Sequence, residues 1–286
     1  MFDRPKRRLI RFAKLVRITV DTFMENRMGF QCVSLCYFVT LAIVPFLAFI
    51  FAMTNGLGIA DKLETVLYSM LPTYPDLVAS LLDKANNIIN IAHSNGVGVI
   101  SALFFFWTVI WLMFQVERVF NNVWGIRKVP RKLYNRFGFY IILLILSPFI
   151  ILLFGTGIAV YSTVAALIGI EEINVLFKIL GWILLFGLTT AILSAMYKFI
   201  PAIYVKYEYA LKSALTASIV FTIFQYLYLE TQTFVTRLNG VYGAMAAIPL
   251  FLIWMNFSWQ IIMYGAELCY GYQNIDTYNI PEFDND

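Results

Sequence analysis

Residues that could carry acid–base or metal chemistry are scarce in this sequence. It contains one histidine, His93, and it lacks the HExxH, GxSxG and phosphate-binding glycine-loop motifs of common enzyme sites. Cys32 and Cys36 are four residues apart and would share a helix face. No histidine or acid stands beside them, so we interpret them as small packing residues rather than metal ligands. We therefore expect no enzyme activity, no catalytic residue, no metal site and no cofactor.

Charged residues at the ends of long uncharged stretches are the stronger candidates for chemistry, because charges at membrane depth are costly and tend to mark substrate or ion pathways. Glu117 and Arg118 end one such stretch, and Lys198 and Glu267 end two others. We expect these four side chains at one level, as an inner vestibule that could bind an ion or an anionic substrate. The alternative is a ring of membrane anchors and helix-connecting ion pairs.

Interruptions within the apolar stretches are a second candidate feature, because transporters use broken helices to present backbone dipoles to a substrate. Pro45, Pro148 and Pro249 lie inside such stretches, and Gly155 with Gly157 adds a flexible point. We predict helix breaks or gating points there, although prolines also kink purely structural membrane helices. Polar side chains at depth could line a cavity or join helices by hydrogen bonds. They include Ser34, Thr40, Gln225, Asn256, Ser258 and Gln260.

The elements that carry these residues follow from composition. Hydrophobic residues make up 60% of the 286 residues and charged residues only 13%, about half the charged share of soluble domains. A helix needs about 20 mostly apolar residues to cross a bilayer. We predict an all-α, polytopic membrane helix bundle with six transmembrane helices in one membrane domain, 28–270. The spans lie near 30–53, 97–117, 138–166, 178–199, 210–230 and 242–267.

The distribution of Lys and Arg predicts the orientation, because these residues resist translocation. They concentrate in the N-terminal segment and in the connections after the second and fourth spans. We therefore expect the N-terminus and the acidic tail, 271–286, to be cytoplasmic. The long connection 56–96 is then external. Pro72 and Pro75 separate two amphipathic segments in it, which predicts short external helices that cap the bundle or mediate contacts in a homo-oligomer.

The N-terminal segment, 1–27, is predicted to form an amphipathic helix in the cytoplasmic interface, with its cations against anionic lipid headgroups. Its apolar residues recur at helical spacing: Leu9, Phe12, Ala13, Val16, Val20, Phe23 and Met24. The charged residues occupy the other face: Arg8, Arg11, Lys14, Arg17, Asp21 and Glu25. Binding of nucleic acid by a basic arm is the alternative. The apolar face favours membrane lipid as the partner, and we expect no nucleic acid.

Several motifs resemble the YihY/BrkB family of bacterial membrane proteins. The family's YG…W…S…GAEL signature is matched by Tyr242-Gly243-Ala244, Trp254, Ser258 and Gly265-Ala266-Glu267-Leu268. Tyr37 through Pro45 resembles its first-span pattern, with Ala42 where the family has serine. The likeness covers roughly residues 20 to 270. It implies a six-span protein of the bacterial cytoplasmic (inner) membrane, and it adds Asn121, which with Trp124 precedes a basic loop, to the expected vestibule.

The resemblance does not supply an activity. Members have been labelled ribonuclease BN, and some are named for serum resistance or virulence, but the metal-ligand clusters of a phosphodiesterase are missing from this sequence. Our first hypothesis is a transporter or permeation protein for a small solute or lipid, which predicts a polar cavity between spans. The alternative is a non-transporting scaffold or envelope-integrity protein, which predicts a bundle filled with packed side chains.

Overall fold

The described part of the chain is helical throughout. The computed structural model describes residues 3–56, 97–126, 171–237 and 240–278, with scattered positions between 64 and 87. All regular secondary structure in these ranges is α-helix. The main helices are α1 (Asp3–Glu25), α2 (Met28–Gly56), α3 (Val97–Val123), α4 (Glu171–Phe199), α5 (Tyr207–Arg237) and α6 (Gly240–Asn274).

The helices from α2 to α6 are long enough to cross a bilayer. They contain 27 to 35 residues each, so they measure about 40–52 Å at about 1.5 Å per residue, against roughly 30 Å of hydrocarbon. The predicted spans 30–53, 97–117, 178–199, 210–230 and 242–267 each lie inside one of these helices. The predicted span 138–166 and most of the external connection lie outside the described residues.

The surface of α5 is apolar although it is exposed. Tyr207–Thr231 is long and apolar enough for a membrane crossing, with a mean hydropathy of 1.3. Only 28% of its most apolar window is buried, whereas the core helix of a soluble protein would be mostly buried. Leu215, Ile219, Ile223 and Leu227 form an exposed stripe at intervals of four residues. This stripe suits contact with acyl chains.

Helix α6 is the centre of the described bundle, because it contacts each of α1 to α5. The buried core lies at the end of the bundle where α1 turns into α2, where α3 and α6 end, and where α4 connects to α5. We call this the hinge end. Its largest fully buried apolar side chains include Met28, Leu35, Phe120, Tyr197 and Met263. The hinge end therefore joins all six helices through one packed cluster.

Helix α1 packs against α6 and uses two apolar stripes rather than the single one expected. Leu15, Ile18 and Phe23 are buried against the bundle. A second stripe stays exposed and consists of Phe12, Val16, Val20 and Met24. Phe23 thus leaves the predicted lipid face, and Lys14, expected on the charged face, is only 9% exposed. The reason is that α1 lies between the bundle and the exterior, so opposite sides of the helix meet different surroundings.

Two helix ends at the hinge end depend on a left-handed residue. Arg27 joins α1 to α2 with φ 50°, and Gly125 follows α3 with φ 67°. After α3, the N–H groups of Gly125 and Ile126 donate to the carbonyls of Asn122 and Asn121, both at 3.0 Å. This pair of hydrogen bonds is a Schellman motif, which satisfies carbonyls at a helix end and favours glycine.

Candidate functional site

A buried carboxyl group lies at the centre of the hinge end. Glu267 on α6 has no exposed surface, and its Oε1 accepts a hydrogen bond of 2.9 Å from the side-chain amide of Asn26. Its second oxygen, Oε2, has no hydrogen-bond partner among the described residues. Buried carboxylates are costly unless they are paired. The hydrogen bond from Asn26 therefore stabilises the buried Glu267 and links α6 to the turn between α1 and α2.

Asn26 connects this carboxyl group to two further helices. Its backbone carbonyl accepts a hydrogen bond of 2.8 Å from the side chain of Gln31 on α2. The same carbonyl accepts a bond of 3.2 Å from the side chain of Asn122 on α3. A movement at Asn26 would therefore be transmitted to α2, α3 and α6 together.

The inner face of α3 brings two of the predicted vestibule residues to the same end. Glu117 and Asn121 are one helical turn apart, and each is only 1% exposed. The Asn121 Oδ1 accepts a hydrogen bond of 2.7 Å from the backbone N–H of Ala202, in the connection between α4 and α5. Asn121 thus holds that connection against the end of α3.

Lys198 and Arg118 have different surroundings from the other predicted vestibule residues. The Lys198 ammonium donates a hydrogen bond to the carbonyl of Val205 and lies 4.1 Å from the centre of the Tyr204 ring. Lys198 therefore holds the connection between α4 and α5 against the end of α4. Arg118 is exposed and points away from the face of α3 that buries Glu117. The structure buries Glu117, Asn121 and Glu267 at the hinge end, whereas Arg118 is exposed there.

The close approach of α4, α5 and α6 depends on Gly265. The hydroxyl of the buried Tyr197 donates a hydrogen bond of 2.9 Å to the carbonyl of Ile262. A Cβ atom at position 265 would lie 2.1 Å from the Tyr197 Oη and 2.8 Å from the Cβ of Ala217. Only glycine fits this crossing without movement of its neighbours. The GAEL segment therefore combines a contact glycine with the buried Glu267.

A cavity of about 540 Å³ lies between the first turns of α2 and the last turns of α3. It is open to the exterior, since Arg27, Phe30 and Arg118 are exposed. On each helix the lining residues are spaced i, i+3, i+4 and i+7, so they form one face. They are Arg27, Phe30, Gln31 and Ser34 on the α2 side and Gln115, Arg118, Val119 and Asn122 on the α3 side, with Asn26 and Ile126 at the ends.

The charged residues that line this cavity are both arginines. Arg27 lines it from the turn before α2 and Arg118 lines it from α3, and no lining residue is acidic. Within the described ranges, neither guanidinium group has a hydrogen bond or ion pair. Two guanidinium groups with neighbouring amide and hydroxyl groups suit a carboxylate, a phosphate or a similar anion. Asn26 lines the cavity and also binds Glu267, so the anionic site and the buried carboxyl group share one residue.

Two of the five residues predicted as helix breaks or gating points lie in helices that the structure describes. α2 continues through Pro45, and α6 continues through Pro249. Pro148, Gly155 and Gly157 lie outside the described residues.

Among the residues that the structure describes, no group of three or more His, Cys, Asp or Glu side chains could hold a metal ion.

The polar cavity residues that were not predicted as site residues from the sequence are Asn26, Arg27, Gln31, Gln115 and Asn122. They lie outside or at the edges of the predicted spans, where polar residues are common. The signal that could have found them is the helical spacing of polar residues: Arg27, Gln31 and Ser34 are at i, i+4 and i+7, and Gln115, Arg118 and Asn122 are at i, i+3 and i+7. Two such faces near the same predicted end of a bundle indicate a shared polar cavity.

Comparison with known proteins identifies relatives along most of the chain. A "UPF0761 membrane protein" of Chromohalobacter salexigens is 28% identical over 242 residues, which cover 82% of this chain and 57% of that protein. The chain thus spans little more than half the length of this relative. UPF0761 membrane proteins of Vibrio vulnificus and Coxiella burnetii are 25% and 26% identical, over 88% and 91% of this chain and 80% and 92% of their own lengths.

No solved structure matches this chain. The relatives are named as membrane proteins, which agrees with the long helices and the exposed apolar surface of α5, and the chain is a membrane protein. The family described as "Virulence factor BrkB" matches residues 19–283. Because that match covers most of the sequence, the chain belongs to the virulence factor BrkB family.

Proposed function

We propose that this protein is a multi-pass transport protein of the bacterial cytoplasmic membrane, which binds a small anionic solute or an anionic lipid at the hinge end. One observation carries the proposal: a cavity of about 540 Å³ that exposes two arginines and no acid. Small-molecule sites are commonly about 300–1,000 Å³ in volume. A scaffold protein that worked only through packed helices would not need such a cavity.

The orientation of the cargo site follows from the predicted topology. Lys and Arg concentrate in the N-terminal segment and in the connections after α3 and α4, and the end of α1, the end of α3 and the connection between α4 and α5 lie at the hinge end. In a six-span protein with both termini in the cytoplasm, this end faces the cytoplasm. The cavity would then receive its cargo from the inner face of the membrane.

Glu267 is proposed as a positioning residue for this site. It does not line the cavity, but it holds Asn26, which does. Asn26 in turn accepts hydrogen bonds from Gln31 and Asn122, on opposite walls of the cavity. The buried carboxyl group therefore sets the spacing of the two walls, and its loss should change cargo affinity without removing a cargo contact.

Flux through reconstituted vesicles tests the proposal. The probes are inorganic phosphate, glycerol 3-phosphate and a fluorescent phosphatidylglycerol, each measured with wild type and with the double variant R27Q/R118Q. The control is R17Q, because Arg17 is an exposed arginine on α1 that is outside the cavity and pairs with Asp21 at 2.8 Å.

We expect flux of at least one probe by the wild-type protein. The double variant should reduce that flux about tenfold or more, since charge-assisted hydrogen bonds to an anion contribute about 1.5–3 kcal/mol each. The R17Q control should retain it. If no probe moved faster than through protein-free vesicles, or if R17Q and the double variant behaved alike, the transport proposal would be rejected in favour of the scaffold hypothesis.

A further inference from the structure

The cavity at the hinge end continues into an apolar stripe on the outer surface of α2. Phe30 lines the cavity and is 80% exposed. Val33 and Tyr37 follow on the same face of the helix and are 57% and 61% exposed. Contiguous exposed apolar side chains on a membrane helix face acyl chains rather than water. A ligand that fills the cavity can therefore extend onto this stripe without crossing a polar barrier.

The spacing along α2 matches one leaflet of a bilayer. From Arg27 to Tyr37 a helix rises about 15 Å, at about 1.5 Å per residue. Half of a hydrocarbon core of roughly 30 Å is the same distance. With Arg27 at the level of the headgroups, an acyl chain beside Phe30, Val33 and Tyr37 would reach about the middle of the bilayer.

The walls of the cavity suit an amphiphile better than a free inorganic anion. Val119 and Ile126 line the cavity together with the two arginines, and Phe30 belongs both to the cavity lining and to the apolar stripe. A soluble anion would use the guanidinium groups alone. An anionic lipid would use the guanidinium groups for its phosphate and the neighbouring apolar side chains for the first methylenes of its tails.

We infer that the cavity between α2 and α3 binds the phosphate headgroup of an anionic membrane lipid, between Arg27 and Arg118, with an acyl chain along Phe30, Val33 and Tyr37. This inference names the cargo class of the proposed transport function and uses the same cavity. Basic pockets between membrane helices at the cytoplasmic side are well suited to lipid headgroups.

Binding to the full-length protein, purified in a neutral detergent, tests the inference. The probes are dioleoyl phosphatidylglycerol, the zwitterionic dioleoyl phosphatidylcholine, glycerol 3-phosphate and inorganic phosphate, each titrated and followed by native mass spectrometry. We expect phosphatidylglycerol to bind at least tenfold more tightly than the other three probes. R27Q and R118Q should each weaken its binding about tenfold, and R17Q should not.

A second pair of variants tests the acyl-chain contact. F30A removes the aromatic side chain at the mouth of the cavity, and I219A removes an exposed apolar side chain from α5, where Ile219 is 53% exposed. We expect F30A to weaken phosphatidylglycerol binding about threefold or more and I219A to leave it unchanged. Elution volume and melting temperature of each variant show whether it is folded.

Three results would overturn the inference. They are equal binding of the soluble anions and the lipid, equal binding of the two lipids, or a loss of binding in R17Q as large as in R27Q. The last result would indicate general attraction between a basic surface and an anionic lipid. Lipid binding without flux would instead reject the transport proposal and leave the site in place. Flux of inorganic phosphate without lipid binding would reject the inference and leave transport in place.

Discussion

Replacing Gly265 with alanine would insert a methyl group where α4, α5 and α6 cross. The new Cβ would lie 2.1 Å from the Tyr197 Oη and 2.8 Å from both the Tyr197 Cζ and the Ala217 Cβ. These distances are far below van der Waals contact, so the Tyr197 ring must move. Its hydrogen bond to the Ile262 carbonyl would then be strained or lost.

The cost follows from two effects. Overpacking of a filled interior typically costs about 1–3 kcal/mol, and loss of a buried hydrogen bond costs about 1 kcal/mol. G265A should therefore be about 2–4 kcal/mol less stable than an alanine variant at an open helical glycine. Gly187 on α4 is such a position, since nothing lies within 4 Å of its added Cβ. G187A includes the same gain in helix propensity, about 1 kcal/mol, so the comparison cancels that gain.

Thermal unfolding with a thiol-reactive fluorescent dye measures the effect in detergent. Cys32, Cys36 and Cys269 are all free and buried, so dye labelling reports the opening of the core. We expect G265A to melt roughly 5–10 °C below G187A. Y197F removes the atom nearest to the new methyl group, so G265A should cost at least about 1 kcal/mol less in the Y197F background.

Two results would refute this reasoning. Equal melting temperatures for G265A and G187A would mean that position 265 is not tightly enclosed. Strictly additive effects of G265A and Y197F would mean that the two residues are not in contact, because side chains in contact give non-additive double-mutant cycles.

The same dye assay tests four further substitutions, at three positions of the hinge end. E267A should lower the unfolding free energy by about 2 kcal/mol, because the amide of Asn26 loses its acceptor, and E267Q should lower it less because an acceptor remains. N121A should cost about 1–2 kcal/mol, because it leaves the N–H of Ala202 without its acceptor; an unchanged melting temperature would contradict the hydrogen bond. G125A should cost about 1 kcal/mol, since alanine disfavours a positive φ, and a neutral result would argue against the Schellman motif.

The positions of the long helices were predictable because bilayer thickness fixes the length of an uncharged stretch. The ends of the helices were less predictable. α6 continues to Asn274, seven residues beyond the predicted span. Its polar last turns are stabilised by packing and hydrogen bonds at the hinge end, such as the bond of 3.0 Å from the backbone N–H of Lys206 to the side chain of Gln273. The length of an uncharged stretch does not predict such contacts.

Which of the charged residues lie together was only partly predictable. The sequence predicts the depth of a residue in the membrane better than the direction in which its side chain points. Glu117 and Arg118 are neighbours in sequence, but successive helical residues differ by about 100° around the axis. One is therefore buried in the core, while the other faces the cavity. Lys198 has a long flexible stem, and its ammonium reaches the carbonyl of Val205 in the following connection. Contacts of that kind depend on a loop conformation that hydropathy does not encode.

The central place of α6 has a consequence for biosynthesis. Ribosomes make α6 after α1 to α5, yet each of those helices contacts it. Asn26 leaves the ribosome about 240 residues before its carboxyl partner Glu267, so their hydrogen bond cannot form while α1 to α5 are being made. The packed cluster that joins all six helices can therefore form only after α6 has been made.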